Sequence, residues 1–111
     1  MKDVPAKHYF PAILCIECDS PIDALVALCV PRDEAMDLVA ASWWGDESGS
    51  ESVAILATVD GGRRVAAVRT PQGRWAACHA FVDHACATRG EAERQLGKLL
   101  KRGRQGYVGV L

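Results

Sequence analysis

The chain has 111 residues, half of them apolar and about a quarter charged, with a net charge of −1. That is enough for one hydrophobic core, so a single domain over 1–111 is expected. Its longest apolar runs, "FPAILCI" and "IDALVALCVP", are too short to span a bilayer, which excludes a helical membrane protein.

The near-neutral total hides a division. Residues 1–60 hold three basic residues against eleven acidic ones, or −8, and residues 61–111 hold ten against three, or +7. Such asymmetry points to a basic face for a polyanion or acidic protein, or to halves that neutralise each other within one fold or between two copies in a homodimer. The N-terminus "MKDVPAKHYF" lacks the apolar core and cleavage site of a secretory signal, and the five cysteines are an odd number. A bacterial cytoplasmic protein with reduced thiols is expected.

In chain order, residues 9–18 alternate as a strand, with Pro11 suggesting an edge position. "DSP" signals a turn. In residues 22–30, "IDALVALCV", the β-branched residues and the following Pro31 favour a strand over a helix. Residues 31–44 read as a helix: Pro31 suits its first turn, Asp33 and Glu34 its positive end, and Ala35, Leu38, Val39 and Ser42 form a stripe. An acidic "GDESGSES" loop follows. "SVAILATV", "RRVAAVR" and "RWAACHAFV" make an antiparallel meander through a "DGG" hairpin turn and a "TPQG" turn.

"TRGEAERQLGKLLKR" reads as a helix opened by a T-x-x-E capping box, Thr88 with Glu91. Its core stripe is Ala92, Leu96, Leu99 and Leu100, and Gly103 ends it. "GYVGVL" closes the chain as a strand. The expected fold is α+β, a mainly antiparallel sheet with two helices in the order ββαβββαβ, the helices on one face.

Three function classes compete. The first is a small non-enzymatic binding protein whose basic half contacts nucleic acid or an acidic protein. Its residues are Arg63, Arg64, Arg69, Arg74, Lys98, Lys101, Arg102 and Arg104, which suit phosphates or carboxylates, with Tyr107 able to stack on a base. Dipole compensation at a helix end accounts equally well for Lys98, Lys101 and Arg102. The second is a protein–protein adaptor or inhibitor acting through the acidic half. There Trp44 is an interface anchor and Asp46 and Glu47 mimic phosphate charge.

The third is a small Cys/His metal-binding protein or enzyme. Cys15 and Cys18 form a C-x-x-C, and Cys78, His79, His84 and Cys86 cluster later, which are zinc-ligand types. On a strand, however, residues three apart face opposite ways, and no turn glycines frame either cluster. Buried cysteines acting as small hydrophobes, and a packed His79, are the simpler reading. Neither metal nor cofactor is expected, and no activated nucleophile or carboxylate pair marks an enzyme.

Residues 53–110 also resemble the WGR domain, in a strand pair followed by a polar helix, "EAERQLGKLLKR", and a closing "GYV". The turn where Trp-Gly-Arg would stand reads "VRTPQGRW". WGR domains bind nucleic acid, so the resemblance implies that role for the basic residues above.

Overall fold

The computed structural model describes residues 8–43 and 54–110. Among them are β1 (Tyr9–Cys18), α1 (Pro21–Ala27), α2 (Arg32–Trp43), β2 (Ile55–Val59), β3 (Arg63–Arg69), β4 (Trp75–Ala80), α3 (Arg89–Leu99) and β5 (Gly106–Val110). The fold is α+β, as expected. All five strands lie in one antiparallel sheet, ordered β2-β3-β4-β1-β5.

Among the described residues the element order is βααβββαβ, with three α-helices instead of two, because the expected second strand is α1. Ser20 caps it, its Oγ accepting from the Asp23 amide at 3.1 Å, and Pro21 opens the first turn, where its missing N–H costs nothing. Its far end is a Schellman closure: the Val30 amide donates to the Leu25 carbonyl and the Cys29 amide to the Val26 carbonyl. This motif places a left-handed residue after the helix, a position normally taken by glycine. Here it is Cys29, at φ 73°. A side chain is strained there, so Cys29→Gly should stabilise the protein by about 1 kcal/mol, the gain trimmed by glycine's greater freedom when unfolded. A higher urea midpoint with an unchanged slope would show this; a lower midpoint would reject the strain.

Pro11 does not mark an edge, since β1 lies between β4 and β5. It sits level with Phe81, just past the end of β4. Its carbonyl accepts from the Phe81 amide, and the Phe81 carbonyl is satisfied by the His84 amide instead. The missing proline donor therefore leaves no acceptor unpaired.

The two faces of the sheet are buried differently. On one face α1 and α2 cover Ile55, Ala57, Val65, Ala67 and Ala77, with Leu25, Leu28 and Ala35 in the contact. The same face carries α3 farther along, where Ala92 and Leu96 pack on Val108 beside Ile13 and Tyr9. The three helices thus share a face, as expected for the helices of this chain.

The other face holds Phe10, Ala12, Ala54, Ala66, Val68, Ala76, Cys78 and Ala80, and no described α-helix contributes to that cluster. It is buried because the sheet curls on itself. The Ala54 amide, just before β2, donates to the Val110 carbonyl on β5 at 3.2 Å, so the two outer strands meet. The closure is staggered: Ala57, Val65, His79, Ile13 and Gly106 lie in one cross-strand row, yet β2 reaches β5 through residues 54 and 110. Stagger of this kind is what closing a sheet into a barrel requires. The concave side is lined mostly by alanines, and a narrow barrel has room for little more. Phe10 is the large exception, fully buried, and it lies over its cross-strand partner Gly109.

Candidate anion-binding surface

The register fixes where the basic residues go. Arg63 and Arg64 open β3 at one end of the sheet. Arg69 closes β3 at the other end, beside Trp75 of β4 and hence near Cys18 of β1. The eight cations therefore do not gather on one face. The hairpin itself sends its arginines apart, because β3 separates the two pairs by its whole length.

Arg74 and Tyr107 are engaged within the fold. The Arg74 guanidinium meets Asp19 (Nη1 to Oδ1, 3.1 Å) and Glu17 (Nε to Oε2, 3.5 Å). The Tyr107 hydroxyl donates to Glu17 Oε1 at 3.2 Å. Burial, then the hydrogen bond to Glu17 and its negative charge, push the Tyr107 pKa up, so the phenol stays protonated as a donor. The turn at Thr70 holds Arg74 in place: the Thr70 amide donates to the Arg74 carbonyl, and Thr70 Oγ1 accepts from the Arg74 amide. Nearby, burial followed by the charge of Asp23 raises the Cys18 thiol pKa. This rim network joins β1, β4 and β5. It uses the side chains expected to hold a base or a phosphate.

The remaining cations lie around the end of α3. Thr88 caps the helix start, its Oγ1 accepting from the Glu91 amide at 3.2 Å. The Glu91 side chain does not return the bond. The helix stops at Leu99, with Leu100 already extended. Gly103 therefore acts one step later than expected: it is the third residue of a turn closed by the Arg104 amide and the Lys101 carbonyl. Its φ of 82° is open to glycine at no cost. Lys98, Lys101, Arg102 and Arg104 are all exposed. The ion pairs among the described residues are those of Arg74, so the turn presents three unpaired cations within four residues.

A shallow open depression of about 490 Å³ lies against this turn, lined by Leu14, Cys15, Gly103, Arg104 and Gln105. Three features create it. The Leu14 amide donates to the Gln105 carbonyl. β5 begins only at Gly106, opposite Ile13. The ladder between β1 and β4 is bulged between Leu14 and Ile16, which re-aims the strand as bulges do. Beyond Leu14, no described strand pairs with β1 on the side away from β4. Ile16 there is 53% exposed. Basic composition made the turn visible in sequence, but the depression depends on the bulge and on where β5 starts, and neither has a local signal.

The other candidate residues do not come together among those the structure describes. Trp44, Asp46 and Glu47, the acidic-half anchors, lie outside the described residues. Cys78 and His79 are neighbours on β4 but point to opposite faces, Cys78 into the barrel and His79 toward the helices. That geometry rules out a thiol–imidazole pair between them. Burial, with a smaller contribution from Cys15, pushes the Cys78 thiol up to about 12, so it behaves as a packed hydrophobe. Cys18 stands at one end of the sheet and His84 at the other, in the 3-10 turn Val82–His84. Among the described residues no three His, Cys, Asp or Glu side chains gather as a metal site. No described helix is long and apolar enough to cross a membrane. Comparison with protein-family models, with curated proteins and with solved structures finds no match to this chain, so its site rests on geometry and charge.

Proposed function

We propose that this protein is a small non-enzymatic binding module that takes an acidic protein segment on the turn formed by Lys101, Arg102 and Arg104. The observation that carries this reading is the compact group of unpaired cations beside a depression with an apolar wall. A nucleic-acid track needs cations spread along a groove and free aromatic rings. Here Arg63 and Arg64 stand at the far end of the sheet, Arg74 is held between two carboxylates, and the Tyr107 hydroxyl is bound to Glu17. A short acidic segment fits the smaller cluster. Five free thiols, with Cys15 and Cys29 exposed, favour a reducing, cytoplasmic setting.

Nucleic acid is the second reading, supported by the WGR likeness of residues 53–110 and by the exposure of Arg63, Arg64 and Arg69. Fluorescence anisotropy separates the two. A labelled glutamate-rich peptide should bind at low salt and single-stranded DNA or RNA should bind more weakly. Changing Lys101, Arg102 and Arg104 together to Ser should weaken peptide binding about tenfold, as the loss of three exposed charge pairs implies. The fold should persist, because these side chains are exposed. Tighter binding of DNA or RNA, with a steep salt slope that Arg63→Ser and Arg64→Ser also reduce, would establish the nucleic-acid reading instead.

A further inference from the structure

We infer that the acidic segment binds in extended form against the end of β1, pairing its backbone with Glu17 and setting an apolar side chain in the depression at Leu14 and Cys15. This rests on the acidic-segment reading above and adds its mode. The Thr70 amide bonds to the Arg74 carbonyl, toward β3. Even-numbered residues of β4 therefore bond to β3 and odd-numbered ones to β1, the alternation of an antiparallel sheet. Phe81 donating to Pro11 follows that alternation. Ile16 and Cys18, opposite Ala77 and Trp75, consequently turn their backbone groups inward to β4. Glu17 turns its N–H and C=O outward, where no described strand answers them.

An exposed strand edge of this kind accepts an added strand, and the flanking side chains set what it accepts. Ile16, 53% exposed on the helix-bearing side, and the wall of Leu14 and Cys15 offer apolar contact. Arg104 lines the same depression, and Lys101 and Arg102 stand exposed in the same turn, so positive charge borders it. The combination fits carboxylates flanking one apolar residue. It does not fit a nucleic acid, which has no backbone amide to pair with Glu17. The edge is short, so charge supplies the encounter and the apolar residue the selectivity.

The test uses the whole protein and a glutamate-rich peptide with one central leucine. Anisotropy should show binding that falls about tenfold when the leucine is replaced by serine, as expected for one largely buried aliphatic side chain. A similar loss should follow from N-methylation of the peptide bond next to that leucine, which removes a backbone donor without changing charge. In amide NMR spectra the Glu17 and Cys15 signals should move with the native peptide. If the peptide binds in a salt-dependent way but is indifferent to both changes, and Glu17 stays still, the strand mode is wrong and the charge reading stands. If the peptide does not bind at low salt at all, the acidic-segment reading itself fails.

Discussion

Replacing Phe10 with Ala should cost about 3–5 kcal/mol, as expected for a fully buried aromatic whose site cannot collapse. The ring is completely buried on the concave side of the curled sheet. Five of the eight buried residues of its cluster are alanines, Ala12, Ala54, Ala66, Ala76 and Ala80, whose single methyl groups cannot lean into the space it would leave. The opposite change makes the same point. A Cβ at Gly109 would run into Phe10 Cζ, with Cε1 and Cε2 at 2.8 and 2.9 Å. Gly109→Ala should therefore cost about 1–3 kcal/mol through overpacking. The two sites share one space, so their effects must couple: Gly109→Ala should be far milder in a Phe10→Leu background. Urea denaturation of the four proteins in that cycle decides it. Additive losses would mean that the ring does not fill a closed interior.

Much of the fold was legible where local chemistry and alternation agree. β3 runs over Arg63–Arg69, the span of "RRVAAVR", because the glycines of "DGG" and the proline turn bracket it. Thr88 caps α3 as its spacing from Glu91 suggests. The failure at residues 22–30 has a definite cause. Ser20 and Pro21 with Asp23 are a helix start, yet the β-branched residues and Pro31 favour a strand. The helix end gave no warning, because Cys29 occupies the position where glycine would have announced it. Burial of α1 in the helix-facing core outweighs its weak propensity.

Both sides of the strands are apolar, which is legible as burial on two faces, but not as a barrel. Alternation cannot tell a second layer from a sheet that curls to cover itself. Among the described residues, closure shows in the hydrogen bond between Ala54 and Val110 and in the small side chains facing inward. The site was half legible for the same reason. Cations at 101–104 stand together in sequence and in space. The carboxylates that hold Arg74 come from β1 and the bend just after it, more than fifty positions earlier, and only strand pairing brings them there. A list of basic residues therefore overstates the charge available to a partner.

The second large effect is expected at Leu96, which joins the core to that cationic turn. Leu96 is 9% exposed and packs with Ala92 on Val108. Leu96→Ala should cost about 2–5 kcal/mol. The seat beneath it is unusually close: a Cβ at Gly106 would lie 2.6 Å from Leu96 Cδ1 and 2.7 Å from the Ala12 carbonyl oxygen. Side chains can yield; the Ala12 carbonyl belongs to β1, which is paired on both sides, and cannot. α3 thus rests directly on the backbone of β5, and that contact sets where Lys101–Arg104 emerges. Gly106→Ala should lift the last turn of α3 and weaken peptide binding even where the barrel remains folded. The Ser triple variant should also lose binding, but with an unchanged urea midpoint. Were Gly106→Ala to bind the peptide as tightly as the parent protein, the position of the turn would not depend on the helix seat, and its charge alone would suffice.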